Sequence, residues 1–244
     1  MSIPANTPTT GRRAFGVLAA GTVISALLPV ASASAHPHRG RLIAADDFRH
    51  GLRRWAVELE QGGEVTASRG VLDINVPAGA TVWFRQRLTG PYILSYTATA
   101  VSAGGAWDRV SDLNNFWNAT DARSPHDLFA TERGGALAEY DHLRTYYAGY
   151  GANTNTTTRL RRYVGEPGNR PLVYDYTRPL LTANEPNRVR IVSDGSTVRW
   201  WNNGSLVFDY RDPQPYTGGH FAFRTTWSHF RISDFEVRRV PGRH

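Results

Sequence analysis

The sequence predicts an all-β fold, an antiparallel two-sheet sandwich of the jelly-roll type, on three observations. Short runs rich in Val, Ile, Tyr, Phe, Trp and Thr recur along the chain, alternate in polarity and are bounded by Gly, Pro, Asn and Asp. Helical periodicity nowhere persists for more than about a turn. Hydrophobic residues make up 41% of the 244, enough for a core, and the absence of cysteine removes both a disulfide framework and a thiolate metal site.

The elements follow in order. "GVLDINV" (Gly70–Val76), "TVWFRQRL" (Thr81–Leu88) and "YILSYTATAV" (Tyr92–Val101) read as strands with period-2 alternation. "SDLNNFWNATD" is a further strand candidate, and "SPHDLFATE" (Ser124–Glu132) is the one short helix expected. "EYDHLRTYY" and "TTTRLRRY" read as two neighbouring strands, joined through the Asn153–Thr158 run, whose Asn and Thr favour a loop. "NRVRIVSDG" and "STVRWWNNGSLVFDY" each carry a hairpin signal, the second through Asn203-Gly204, which supplies the positive φ angles of a tight turn. "GGHFAFRTTWSHFRISDFEVRRV" closes the chain with two strands. No repeat and no Pro/Gly/Ser linker divides residues 45–241, so one domain is expected there.

The beginning of the sequence predicts export. Arg12 and Arg13 precede an apolar run that ends near Val30, and Ala33-Ser34-Ala35 offers a small-residue cleavage site. Residues 1–35 therefore read as a signal peptide of the twin-arginine type, and 36–44 as a flexible leader carrying His36 and His38. The apolar run is too short and too rich in Ala and Gly for a membrane span. The expectation is a secreted, extracellular monomer.

All 28 basic residues are Arg, and the net charge is +7; residues 1–35 hold two of them and no acid, leaving +5. GC-rich coding accounts for much of this bias, but a guanidinium-rich surface also suits carboxylate partners, which it grips in bidentate fashion. An acidic polysaccharide is the polyanion expected outside the cell, in preference to nucleic acid.

The opening "DDF…W" and the closing "G-x-F-x-F-R…F-x-I-x-D-F-x-V" together resemble domains of the concanavalin A-like lectin/glucanase superfamily, in which first and last strands lie side by side. The resemblance spans about Ala45 to Val240. "GPYILSY", "SDLNNFWNATD", "YYAGYG…NTTTR" and "FRTTWSHFRISDFEV" look like an uncharacterised bacterial family associated with plant cell-wall degradation.

The stretch Tyr146–Tyr163 gathers four tyrosines, three arginines and an Asn/Thr run, with Leu160 the one large aliphatic side chain. Alternation along "EYDHLRTYY" places Tyr140, His142, Arg144 and Tyr146 on one face; along "TTTRLRRY" it places Thr157, Arg159, Arg161 and Tyr163 together. "SDLNNFWNATD" adds Asn114, Phe116 and Asn118, with Asp112 on the same side. β-Elimination at a uronic-acid glycoside needs a group to neutralise the carboxylate, a base for the C5 proton and an acid for the leaving oxygen, with no obligatory metal or cofactor. Resemblance to jelly-roll polysaccharide lyases implies His142 as base, Tyr140 or Tyr146 as acid, and Arg144 with Asn114 as neutralisers of a pectin- or rhamnogalacturonan-like substrate. Tyr150, Asn153, Asn155, Arg159, Arg161 and Trp201 would complete substrate binding.

Two other functions stand beside this one. A lectin or carbohydrate-binding module would use the seven Trp and eleven Tyr as stacking platforms, Trp200, Trp201 and Trp227 among them. A glycoside hydrolase would need two facing carboxylates, for which Asp112 and Asp141 are candidates; the Glu-x-Asp-x-x-Glu pattern usual for hydrolases of this superfamily is absent. Asp46, Asp47 and Asp234 are hard oxygen donors for a structural calcium.

Overall fold

The computed structural model describes residues 40–241, and these form a two-layer antiparallel β-sandwich. The expected signal peptide with its cleavage site, His36 and His38 lie outside the described residues, whereas residues 42–44 of the expected leader belong to the first strand. The first part of the chain forms β1 (Leu42–Asp46), β2 (Trp55–Leu59), β3 (Glu64–Ser68) and the long β4 (Val71–Phe84). After β5 (Leu88–Thr89) and β6 (Tyr92–Ala100), the central segment gives β7 (Leu113–Asp121), β8 (Leu143–Gly151), β9 (Thr157–Val164) and β10 (Leu172–Tyr176). β11 (Pro186–Ser193), β12 (Thr197–Asn202), β13 (Ser205–Arg211) and the 22-residue β14 (Gly218–Arg239) complete it.

β4 and β14 are each long enough to serve both layers. The first half of β14 pairs with β7, and its second half with β6. The change occurs at a bulge between Thr226 and Ser228, where β14 shifts register against β4. The runs read as separate strands at Gly70–Val76 and Thr81–Leu88 are therefore one strand, and so are the two expected in the closing segment. A front layer, β10-β9-β8-β7-β14-β4-β2, faces a back layer, β13-β12-β11-β6-β14-β4-β3. β1 lies against β14 from Leu42↔Arg238 to Asp46↔Phe235, so the first and last strands are neighbours, as the two ends of the sequence predict.

Alternation explains the core. Along β14, Phe221, Phe223, Phe230, Ile232, Phe235 and Val237 are buried between the layers. Trp55 lies at the centre of an aromatic cluster, with the Phe48, Phe84, Phe223 and Phe235 rings between 5.0 and 5.7 Å away. Tyr150 of β8 stacks on Trp200 of β12 at 5.1 Å, a contact from one layer to the other. The β12–β13 hairpin turns on Asn203 and Gly204, both at positive φ (48° and 82°).

A second, smaller cluster covers part of the outer face of the front layer. Trp83, Phe116, Tyr147 and Tyr163 pack there against Leu128, Tyr140 and Leu143. The segment 122–142 that covers them holds two short 3-10 turns, Leu128–Ala130 and Leu137–Tyr140, where the helix was expected at Ser124–Glu132. Arg133, almost fully buried, pins this segment through Glu58 (3.1 Å) and Asp121 (3.3 Å). Glu58 also accepts from Trp83 Nε1 and Tyr140 Oη at 2.8 and 2.7 Å.

Candidate functional site

Beyond the edge of that covering segment, the outer face of the front layer is open and forms a groove of about 750 Å3. Strand register aligns two rows across the front layer, from which Arg224, Asn114, Gly149, Arg159, Tyr147 and Arg161 reach the groove. One row runs Thr81, Arg224, Asn114, Gly149, Arg159 across β4, β14, β7, β8 and β9. The next runs Trp83, Ala222, Phe116, Tyr147, Arg161. From Arg224 to Arg159 is three strand spacings, about 14 Å. Tyr163, Arg170, Asp112, Asn153, Glu60 and Thr226 complete the walls.

Arg224 is only 5% exposed. Its Nη1 donates to Thr81 Oγ1 (2.7 Å) and to Gly135 O (2.9 Å), and its guanidinium lies 4.8 Å from the Tyr140 ring centroid. No carboxylate among the described residues pairs with it. Arg161 likewise has a carbonyl partner, Arg170 O at 2.6 Å, and no carboxylate. The other two cations are paired: Arg159 with Asp175 at 2.6 Å, and Arg170 with Asp141. Burial alone would lower the Arg170 guanidinium, but Asp141 outweighs it and holds the pKa above the ordinary arginine value. Arg224 thus has neutral acceptors and no direct ion pair, although Glu60 on the same lining lies near it: a Cβ on Gly79 would touch both Glu60 Oε2 (2.6 Å) and Arg224 Nη2 (3.0 Å).

Two polar atoms in the lining have no partner. They are the Tyr163 hydroxyl, on a residue with 0% exposure, and Asn114 Oδ1, on a residue with 3%. The Asn114 amide nitrogen is committed to Asp112 Oδ1 at 3.3 Å, which leaves its carbonyl oxygen facing Gly149. Asp112 is itself held by Arg109 (3.0 Å) and by the Ser111 hydroxyl. Both atoms are shut off from solvent as the groove stands, and an orphaned buried donor and acceptor each carry a desolvation cost. Burial pushes the Tyr147 phenol well up and raises that of Tyr163, an effect that nearby Arg224 and Arg161, and for Tyr163 first Arg170, only partly counter. At neutral pH both are hydrogen-bond donors and aromatic surfaces, in no position to take up a proton.

Some of the residues expected from sequence meet here and others do not. Asn114, Asn153, Arg159 and Arg161 line the groove together with Asp112. His142 is half-buried beside Arg123, Glu132 and Glu139, in a separate shallow depression, and Arg144 is exposed away from the groove. The strand begins at Leu143, so Tyr140 and His142 precede it and the expected single face of Tyr140, His142, Arg144 and Tyr146 does not form. Tyr140 is buried under the covering segment, donating to Glu58. Tyr146 points into the core, where it donates to Asp212 Oδ2 at 2.6 Å, and Tyr150 stacks there on Trp200. Asn118 also leaves the expected face. It lies at positive φ (53°) within a bulge, and its amide bridges Ser193 Oγ and Tyr216 O inside the sandwich.

The remaining expectations are placed as follows. Asn155 is bound to Leu181 through both its amide groups, at 2.9 Å each, and acts as a turn clamp. Trp201 lies on β12 in the back layer under Arg190, 4.1 Å from the ring centroid. Asp141, the proposed partner of Asp112, is committed to Arg170 and to Gly168 N. Asp46, Asp47 and Asp234 border one cleft, but Asp46 accepts from Phe48 N and Trp55 Nε1 at 2.8 and 2.9 Å. Among the described residues, no group of three His, Asp or Glu side chains converges as a metal site would.

Sequence reasoning missed Tyr147, Gly149, Arg170 and Arg224. The signal for Arg224 was present in "HFAFRTT": if Phe221 and Phe223 face the core, Arg224 and Ala222 must face outward.

Solved structures share this architecture. A protein of unknown function with a galectin-like fold from Bacillus subtilis superimposes with a TM-score of 0.68 at 19% identity, over 82% of this chain and 96% of that one. The carbohydrate-binding module CBM66 from Bacillus subtilis gives 0.54 at 10%, over 76% and 95%. The VIP36 exoplasmic/lumenal domain, in its Ca2+/Man-bound form, gives 0.54 at 11%, over 78% and 85%. At these identities the likeness is one of fold, a galectin-like jelly roll. No curated protein matches in sequence. The sequence model of DUF6250, a domain of unknown function, matches residues 74–235, and the chain belongs to that family.

Proposed function

We propose that the domain binds carbohydrate, and that the front-layer groove holds an acidic saccharide with a carboxylate on Arg224. The observation that carries this reading is Arg224, buried with no direct ion pair, together with two unpartnered polar atoms just beneath the floor of one groove. The carboxylate supplies a direct ion pair for Arg224, and sugar hydroxyls satisfy Tyr163 and Asn114 once the bound sugar has moved the lining aside to reach them. Tyr147 gives the sugar ring an apolar surface. Two of the domains of similar fold, the carbohydrate-binding module CBM66 and the VIP36 domain in its Ca2+/Man-bound form, support the choice of sugar over other anions.

β-Elimination is the finer reading expected from the sequence, and its chemistry is less well supplied here. The groove has cations to acidify a C5 proton, but among its described lining residues there is no histidine, and its tyrosines are held protonated. Binding is therefore the reading we adopt. Calorimetry with uronic-acid oligosaccharides and their carboxyl-reduced counterparts tests it. Tighter binding of the acid form by at least about tenfold, the measure of one charge-assisted hydrogen-bonded pair, is the expected result. Equal affinity for both forms, or formation of an unsaturated product absorbing in the ultraviolet, would count against it.

A further inference from the structure

Of the aromatic residues, Trp227 is the most conspicuous outside the groove floor. It is 50% exposed, and it occupies the β14 bulge at φ 42°. Both properties disfavour tryptophan: a large apolar surface meets water, and the backbone takes a conformation that suits glycine. Strain of this kind collects at functional positions.

The surroundings tie this residue to the groove. Thr226, its neighbour in sequence, lines the groove, as does Asp112. Arg109 donates to Trp227 O (2.8 Å), to Thr226 O (2.6 Å) and to Asp112 Oδ2 (3.0 Å). Its guanidinium also lies 4.9 Å from the indole centroid, backing the ring. The loop that carries Arg109 is fixed in turn. Asp108 accepts from Ala103 N and Gly105 N at 2.7 and 2.9 Å, and from His229 Nδ1 at 2.9 Å. His229 Nε2 reaches Asp73 on β4 at 3.0 Å. An exposed indole is thus held rigid at the end of the floor that carries Arg224, which lowers the entropy lost when something stacks on it.

We infer that Trp227 is a second binding position, which stacks a further sugar ring of the same chain as it leaves the groove past Thr226. The inference rests on the carbohydrate-binding reading of the groove and adds chain length to it: the domain selects an oligomer rather than a single terminal sugar.

The test uses the full chain, Trp227→Gly and Trp227→Phe, with uronic-acid oligosaccharides of two and six residues, measured by calorimetry. Wild type should bind the six-residue series about tenfold more tightly than the two-residue series, as one added aromatic contact provides. Trp227→Gly should lose that gain and keep its two-residue affinity within about twofold, because the floor is untouched. Its melting temperature should not fall, since glycine suits the positive φ. Trp227→Phe retains a ring and should retain most of the gain. Wild-type and Trp227→Gly proteins with equal six-residue affinity would overturn the inference while leaving the groove reading intact. Failure of wild type to bind either series would overturn both.

Discussion

Gly149 is where the binding account parts most clearly from a purely structural one. It sits mid-strand on the groove floor with no positive φ, so the backbone does not require glycine. A Cβ there would meet Asn114 Oδ1 and Ala152 Cβ at 3.3 Å each, tighter than a Cβ ordinarily meets, and Tyr147 Cε1 at 3.5 Å; the sign of the effect on stability rests on Asn114 and Ala152 giving way by a few tenths of an ångström. With those shifts made, Gly149→Ala stabilises the fold by about 0.4–1 kcal/mol, chiefly by restricting the unfolded chain. For a domain of this size, that is a rise in melting temperature of about 1–4 °C. The same methyl covers the orphaned Asn114 oxygen and fills the floor between Arg224 and Arg159. The loss of one ligand hydrogen bond, about 1–1.5 kcal/mol, corresponds to roughly tenfold weaker binding. Differential scanning fluorimetry and calorimetry on one preparation read both effects. A variant that is destabilised yet binds as wild type would refute the reasoning, because it would make Gly149 a packing residue and no part of a site.

Other substitutions separate the groove from its surroundings. Tyr163→Phe removes a buried hydroxyl that has no partner, so thermal unfolding should show a stability equal to or above that of wild type while calorimetry shows weaker binding. His142→Ala and Arg144→Ala should leave affinity for acidic oligosaccharides within about twofold, since both lie outside the groove. If wild type forms an unsaturated product that His142→Ala abolishes, elimination at the sequence-predicted site is correct and the groove is not the centre of function.

The general architecture was legible because it depends on local signals. Asn203-Gly204 marks its hairpin, and the paired ends announce β1 against β14. The site was half legible for a physical reason. On β9, Leu160 faces the core while Arg159 and Arg161 face outward, so polarity assigns the faces. On β8, Tyr146 and Tyr150 face inward and Tyr147 outward, so both faces are aromatic and alternation alone cannot say which is which. A one-residue error of parity then moves every side chain to the other layer. The bulge at Asn118 causes a similar flip within β7. Which part of the outer face stays open is decided by the covering segment 122–142, whose Arg133–Glu58–Asp121 anchor joins residues far apart in sequence.

Arg224 carries the central claim, and Arg224→Met tests it most directly when titrated with both acidic and carboxyl-reduced oligosaccharides. The account predicts that the variant loses the preference for the acidic form, about tenfold or more, while its affinity for the neutral form changes far less. A variant that still prefers the acidic form by the wild-type margin would show that the ligand carboxylate is held elsewhere, and would contradict it.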